Sequence, residues 1–387
     1  MDEALQQFRG RINASSADGS PLVIRGNSNK DWQALKYFRD SVITASANRM
    51  PLRLRGSGSK DWYGQPLQGE LLETADYSGI VEYEPTELVI TARCGTPLSE
   101  IDAALAEQNQ MLAFEPPYFG PEATIGGVVS SGLAGPRRQA VGAVRDFVLG
   151  ATLMDGKGDI LHFGGRVMKN VAGYDVSRLL AGAMGTLGIL LEVSLKVLPK
   201  PYAEVSLRFE MNQAEAIRNL NLWGGQPLPI SASAWNDGVL VVRLSGAQAA
   251  LQAAQTRMGG EDMPQAKAFW IALREQSNGF FKAAAQQPDS ALWRLSVPSA
   301  TPPLALPAPP LLEWGGAQRW LVTDAGAADI RAQAAAAGGH ATLFKGGDKS
   351  AGVFHPLAPA VAKIHRNLKK AFDPAGIFNP GRMYTEF

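Results

Sequence analysis

Cysteine occurs once in the 387 residues, at Cys94, and histidine only four times, at His162, His340, His355 and His365. A single thiol excludes an intrachain disulfide, a Cys-x-x-Cys redox pair and a cysteine-ligated iron–sulfur cluster. No two histidines stand three to five residues apart, the spacing at which one helix offers a metal pair. Long apolar runs are missing too: nowhere do about 18 apolar residues follow one another, as a membrane-crossing helix requires. Charge of one sign is also lacking, since 37 basic residues meet 36 acidic ones for a net charge of +1. That leaves no basic stripe for nucleic acid and no field directed at a membrane surface. The first residues, Met1–Gly10, lack the basic-then-apolar layout of a signal peptide, which predicts a cytoplasmic protein. Demanding chemistry must then come from ordinary side chains or an organic cofactor.

With 45% hydrophobic and 19% charged residues, the chain reads as globular and long enough for two to three domains. Glycine is abundant at 41 residues and clumped, at 55–64, 119–135, 164–165 and 182–188, with a scatter near 346–352. Such clumps after apolar runs mark places where backbone turns sharply or approaches something closely. One repeat stands out. Pro21–Trp32 (PLVIRGNSNKDW) recurs as Pro51–Trp62 (PLRLRGSGSKDW), with seven of twelve positions identical. Trp32, Leu35, Phe38, Val42 and Ile43 recur at helical spacing, so the unit reads strand–loop–helix–strand, a local duplication too short for a solenoid.

Further elements emerge from pattern. Leu88–Arg93 predicts a strand. Thr96-Pro97-Leu98-Ser99 opens a helix with Thr96 as N-cap and Leu98, Ile101 and Leu105 on one face. Phe147–Leu153 and Ile160–Phe163 flank Asp155-Gly156-Lys157-Gly158, a hairpin turn. Leu191, Val193, Leu195 and Val197 alternate with polar residues as a strand that Pro199 and Pro201 end. Beyond residue 203 alanine and glutamine rise, and Pro302–Pro310 reads as a loop. Strands at Val205–Phe209 and Leu292–Val297, hairpins at Asn236–Gly238 and Gly315-Gly316, two Ala-rich helices and a helix over 326–337 give a βαββ-like order twice. This predicts an α+β unit with a largely antiparallel sheet. Phe269, Trp270, Phe280, Phe281, Trp314 and Trp320 are expected in its core. The tail 356–387 predicts a basic amphipathic helix with Val361, Ile364, Leu368 and Phe372 inward, stopping at Asp373–Gly376.

The glycine clumps carry the chemistry. Successive amides in Arg55-Gly56-Ser57-Gly58-Ser59-Lys60 can converge on an anion, with serine hydroxyls and Lys60 adding donors, as suits a phosphate or pyrophosphate. The loop is neither a P-loop nor a GxGxxG fingerprint. Pro116–Gly127, continuing through Ser130-Ser131-Gly132 to Arg138, combines rigid prolines with bare backbone against which a planar group fits. In the third clump Asp175 and Gly182 cap a helix Val176–Ala181, and Gly185-Thr186-Leu187-Gly188 then runs straight into a strand.

These motifs in this order, RGSGSK, PxxxGPEATIGG, GAVRDFVLG, KNVAGYD…GTLGIL and a C-terminal FDPAGIFNPGRM, resemble the FAD-linked oxidase family of the vanillyl-alcohol oxidase type. Within it the wording CGTPLSEIDAAL, GLAGPRR and EVSLKVLPKP looks most like the FAD-binding subunits of bacterial glycolate oxidase. The resemblance implies an α+β fold: a two-lobed FAD-binding domain of the PCMH type over residues 1–202, an antiparallel-sheet cap domain over 203–350, and a segment 351–387 returning to the FAD domain. It implies cofactor contacts from Arg55, Gly56, Ser57, Gly58, Ser59 and Lys60. Pro117, Thr124, Ile125, Gly126, Gly127, Ser130, Ser131 and Gly132 would line the diphosphate and isoalloxazine. Asp175, Gly185, Thr186, Gly188, Ile189 and Asn379 would complete the site.

Two departures qualify the resemblance. Relatives that bond FAD covalently through the first loop carry a histidine there; Ser57 and Ser59 stand here instead, so noncovalent FAD is expected. The cap holds His340 and, at its border, His355 in place of a histidine-rich cluster, so no catalytic residue is assigned. Arg137, Arg138 and Arg145 are candidates for diphosphate or carboxylate charge, or for ordinary salt bridges. The implied function is the FAD-binding subunit of a glycolate (2-hydroxyacid) dehydrogenase complex. Its implied partners are a larger FAD-binding sister subunit and an iron–sulfur subunit, with membrane association only through them. A free-standing 2-hydroxyacid dehydrogenase and a flavin-free scaffold are the alternatives. The copy at 21 has Ser28 where Gly58 stands, so FAD is assigned to the second copy. Gly56→Val and Gly58→Val are expected to abolish flavin retention and Gly26→Val to leave it; equal loss of bound FAD in all three would sink that assignment.

Overall fold

The computed structural model describes residues 28–165, 175–287 and 289–387. Residues 21–27 of the first repeat copy and 169–174 of the KNVAGYD motif lie outside the described residues. Helix α1 (Ser28–Asn48) buries Leu35, Phe38 and Val42 of the stripe its spacing predicts, whereas Ile43, on its edge, is exposed. The two repeat copies therefore part company in structure. Lys30-Asp31-Trp32 is helical, whereas Lys60-Asp61-Trp62 lies in a turn. The apolar residues that carry a helix onward come only after the first copy. The second meets Gly64 at φ +90°, a conformation that suits glycine.

Strand β1 (Leu52–Arg55) pairs in parallel with β2 (Glu70–Glu73). Leu52 also bridges in parallel to Phe378, so the C-terminal segment returns beside the first strand. Next come β3 (Ile80–Glu84), β4 (Val89–Arg93), α2 (Leu98–Glu107), β5 (Gln110–Met111), α3 (Ile125–Ser131), α4 (Arg138–Val141), β6 (Val148–Met154), β7 (Ile160–Gly164), α5 (Val176–Leu179), β8 (Ile189–Lys196) and β9 (Leu198–Pro199). A five-stranded sheet of order β3-β4-β8-β6-β7 forms, every neighbour antiparallel. On α2, Leu98, Ile101 and Leu105 are buried as expected. Its N-cap is Pro97 rather than Thr96, because the Thr96 hydroxyl donates to the carbonyls of Arg93 (2.6 Å) and Gly79 (3.1 Å) instead. Asp175 caps α5, but the helix closes at Leu180, two residues before Gly182.

The remaining sheet is built from β10 (Ala203–Glu210), α6 (Gln213–Gly224), β11 (Ile230–Asn236), β12 (Val239–Gly246), α7 (Gln248–Met258), β13 (Glu261–Asp262), α8 (Ala266–Arg274), α9 (Gly279–Ala285), β14 (Ala291–Ser296), β15 (Leu311–Glu313), β16 (Gln318–Thr323), α10 (Ala327–Ala336) and β17 (His340–Gly346). Its eight strands run β13-β10-β12-β11-β15-β16-β14-β17, all antiparallel. Three helices stand where two Ala-rich ones were expected. The second half keeps the expected succession of strand, hairpin, helix and last strand. One sheet face buries Ile217, Leu220 and Leu251 of α6 and α7 and Ile330 of α10. The opposite face packs Trp320, Phe344 and Leu292 against Trp270 and Phe281 and against Tyr63, Leu133 and Met184 of the glycine-rich half. Trp270, Phe281 and Trp320 are thus core; Phe269, Phe280 and Trp314 are half-buried.

The last helix, α11 (Pro359–Phe372), follows its apolar pattern only in part, Leu368 and Phe372 packing on the core as expected. Val361 and Ile364 are exposed, and Lys369 is the buried residue. The reason is hydrogen bonding. Lys369 Nζ reaches the carbonyls of Thr186 (2.8 Å) and Phe378 (2.7 Å) and the carboxylate of Asp373 (2.7 Å) only from that side. Asp373 in turn accepts from the amides of Ile377 (3.0 Å) and Phe378 (2.8 Å). Removing one partner of a buried, hydrogen-bonded pair leaves a charge without compensation. Lys369→Met is therefore expected to destabilise the protein by about 3–5 kcal/mol in urea titration. Val361→Ser and Ile364→Ser are expected to stay within about 0.5 kcal/mol, as exposed substitutions do; the reverse order would show that the helix presents its other face.

Candidate functional site: a cleft between two glycine-rich loops

Three stretches distant in sequence meet in one cleft. The loop after β1 brings Arg55 to Lys60, α3 brings Thr124, Gly126, Gly127, Ser130 and Ser131, and the approach to β8 brings Gly185, Gly188 and Ile189, while Asn379 closes it from the C-terminal segment. All of these are candidates from the sequence. The cleft also takes Leu54, Asp61, Tyr63, Leu67, Thr74, Cys94, Met184, Leu190 and Arg382, none named as a contact from the sequence, although Cys94, Leu190 and Arg382 stand inside its quoted motifs.

The glycines are present for a spatial reason. A Cβ on Gly56 would sit 2.7 Å from Thr124 Oγ1, and one on Gly126 would sit 2.7 Å from both Cβ and the carbonyl oxygen of Cys94. Cys94, buried and with its thiol pushed well up by burial, is thus packing for this loop. Thr124 caps α3, its hydroxyl accepting from Gly127 N at 3.2 Å. Among the described residues, the amides of Gly56, Ser57, Gly58 and Ser59 and those of Gly185 and Gly188 donate to no protein acceptor. Two rims of free N–H groups facing one cleft form a nest for an anion.

Asn379 ties the rims together. Its Oδ1 accepts from Leu54 N (2.9 Å), its Nδ2 donates to the Met184 carbonyl (2.8 Å), and its own amide donates to the Leu52 carbonyl (2.9 Å). Arg382 reinforces this, donating to the carbonyls of Gln65 and Asp61, the latter at 2.9 Å. Burial lowers the Arg382 guanidinium to about 10, with Asp61 opposing. Arg55 folds across Gly58 to pair with Asp61 at 3.0 Å. Lys60 is tucked inward, donating to the Tyr118 carbonyl (3.2 Å) and lying 5.8 Å from the centre of the Phe119 ring. Burial lowers its ammonium to about 8, against the pull of Glu275.

Five candidates lie off the cleft, each with its own structural occupation. Ile125 is 1% exposed in the core. Gly132 ends α3 at φ +64°, and a Cβ there would meet the Gly182 backbone at 3.0 Å. Asp175 accepts from Ser177 Oγ (2.8 Å) and pairs with Arg178 (2.8 Å). Thr186 donates to the Ala183 carbonyl (2.7 Å) while its own carbonyl receives Lys369. Pro117 lines a small chamber beside the cap sheet instead. Of the arginines, Arg137 is held by Glu115 (3.3 Å) and Glu204, the salt-bridged alternative. His340 and His355 have ring centres 6.4 Å apart, and no group of three metal-ligating side chains occurs among the described residues. No helix among the described residues is long and apolar enough to cross a membrane.

The bare backbone, free amides and nearby cations match the diphosphate and flat ring system of FAD. Because an anion stabilises the charged form of Lys60, FAD affinity is expected to decline as pH rises through about 8. A fluorescence titration on either side of that pH should show a several-fold weaker Kd at the upper end, and Lys60→Gln should flatten that dependence. An equally steep profile in the variant would assign the titration elsewhere.

Residues 37–164 match the family described as FAD binding domain. The chain is 49% identical over 381 residues to the glycolate oxidase subunit GlcE of Escherichia coli (strain K12), covering 98% of this chain and 97% of that protein. It is 36% identical over 129 residues to the glycolate oxidase subunit GlcD of Bacillus subtilis (strain 168), covering 33% of this chain and 27% of that one. A D-lactate dehydrogenase of Anaerostipes hadrus is 32% identical over 139 residues, covering 36% and 29%. In fold the chain is similar to alkyldihydroxyacetonephosphate synthase, with a TM-score of 0.61 at 13% identity over 89% of this chain and 75% of that one. With near-complete coverage at that identity to GlcE, the chain belongs to the GlcE family of glycolate oxidase subunits, FAD-dependent oxidoreductases built on the PCMH-type fold.

Proposed function

We propose that this chain is the FAD-binding subunit of a complex that oxidises glycolate, or a close 2-hydroxyacid, to the 2-oxoacid. The observation that carries this reading is the cleft itself: two rims of unengaged amides, glycines whose side chains would collide, and a C-terminal clamp over both. When bound, FAD accepts an electron pair from the alcohol carbon and releases it one electron at a time. The protein's residues hold and orient it. The amides of Gly56–Ser59 and the Lys60 ammonium receive the diphosphate, and the absence of a histidine in that loop leaves attachment noncovalent. Asn379 fixes the separation of the two rims, and Arg382 holds the turn after Lys60 in place.

The proposed partners are a larger FAD-binding sister subunit and an iron–sulfur subunit. One cysteine, buried in the cleft wall, gives this chain no means to build a cluster. Electrons leaving its flavin must therefore pass to another protein, and membrane association would run through those partners. Purified alone and with its partners, the chain is expected to carry FAD that acid or heat releases unmodified. Anaerobic glycolate should bleach the flavin absorbance of the complex. A chain that purifies colourless and takes up no FAD would overturn the reading, whereas FAD released only by proteolysis would overturn its noncovalent part.

A further inference from the structure

The face of the eight-stranded sheet turned toward the cleft is apolar along most of its length, with Leu292, Leu311 and Phe344 among its contacts. A polar row interrupts it. In register across four strands, Glu313 stands opposite Gln318, Gln318 opposite Ser296, and Ser296 opposite His340. Beside the row Arg294 lies between Trp320 and Thr342 on the same face. Polar groups on a buried face are costly unless something engages them. Glu313 is engaged, receiving Trp320 Nε1 at 2.5 Å and Gln318 Nε2 at 2.9 Å. Arg294 is not neutralised: its Nη2 donates to the Tyr63 hydroxyl at 3.1 Å, and its guanidinium lies 5.3 Å from the centre of the Phe344 ring. Tyr63 belongs to the wall of the cofactor cleft.

A second half-buried guanidinium stands nearby. Arg138 is stacked on Trp314 at 4.2 Å, and burial together with the charges of Arg294 and Arg145 lowers its affinity for its proton, with Asp146 opposing. Among the described residues no carboxylate comes within ion-pair distance of Arg138 or Arg294. Two like charges fixed by aromatic packing, with Asp146 near Arg138 but in no ion pair with either among the described residues, favour an anion from outside. We infer that Arg294, seconded by Arg138, is the recognition site for the carboxylate of a small 2-hydroxyacid, which Arg294 presents to the cofactor cleft by way of Tyr63. The inference rests on the reading of the chain as a flavoprotein of hydroxyacid oxidation, and it adds where the acid's charge is received.

The test is equilibrium dialysis of radiolabelled glycolate against the purified chain and against the assembled complex, with FAD content measured separately on the same samples. Arg294→Gln is expected to weaken glycolate binding at least tenfold and Arg138→Gln about threefold, both with unchanged FAD content. Arg294→Lys should recover part of the loss. Uncharged ethylene glycol should compete with none of it. Wild-type glycolate binding in Arg294→Gln would overturn the inference and leave Arg294 as a strut between sheet and cleft. So would the absence of saturable glycolate binding to an FAD-replete complex, which leaves the flavin reading standing. Missing FAD with Arg294-dependent glycolate binding intact would fail the proposed function and support the carboxylate site.

Discussion

Lys369 is 7% exposed, and its ammonium donates to three oxygens, two of them the backbone carbonyls of Thr186 and Phe378 and the third the Asp373 carboxylate. A lysine side chain in that setting is stable only if the acceptors are held in place, and here each acceptor is itself held. Asp373 is fixed by the amides of Ile377 and Phe378, Phe378 bridges to β1, and the next residue is Asn379. The order of dependence therefore runs from a buried ion pair to the path of the tail, then to the Asn379 clamp, and finally to the width of the cleft. Within the cleft, α3 is tied to the third glycine loop by the Met184 amide on the Ser130 carbonyl (2.8 Å), and Asn379 adds the link from that loop to β1. The free amides of the loops are useful to a ligand because they do not bond to one another.

The second large constraint is the contact between the eight-stranded sheet and the glycine-rich half. Tyr63, Leu133 and Met184 meet Trp320, Phe344 and Trp270 in one aromatic-rich cluster. Tyr63 serves both this packing and the cleft wall, so the position of the sheet and the shape of the cofactor site are mechanically linked. Aromatic rings in tilted and edge-on contact, such as Trp320 on Phe344 at 4.7 Å, resist sliding better than aliphatic packing does.

Much of this is legible in the sequence, for identifiable reasons. Strands and hairpins show where apolar alternation meets a turn dipeptide, as at Asp155-Gly156. The glycine loops show because missing side chains leave a mark in composition. Hidden from pattern are residues whose importance comes from a neighbour far along the chain. Tyr63 carries no local signal that distinguishes it from a surface residue, and Arg382, though inside the FDPAGIFNPGRM motif, shows nothing of the Gln65 and Asp61 carbonyls it holds. Lys369 misleads in the opposite way. Periodicity places Val361 and Ile364 inward because a lysine is ordinarily outside, and only three oxygens contributed by other residues reverse that rule. The repeat shows a similar limit: Lys-Asp-Trp is helical once and a turn once, depending on whether an apolar helical stripe or a glycine comes after it.

The clamp has a temporal consequence. Leu54 leaves the ribosome 325 residues before Asn379, yet the spacing of its loop from Met184 and Gly185 is set by that asparagine. The five-stranded sheet can pair as soon as β8 has emerged, so a partly folded chain holds the glycine loops before the Asn379 link between Leu54 and Met184 exists. Cofactor capture is then a late event, coming after release of the tail rather than with assembly of the loops. Chains stalled or shortened before Asn379 would accumulate as sheet-containing species with no capacity to retain a flavin.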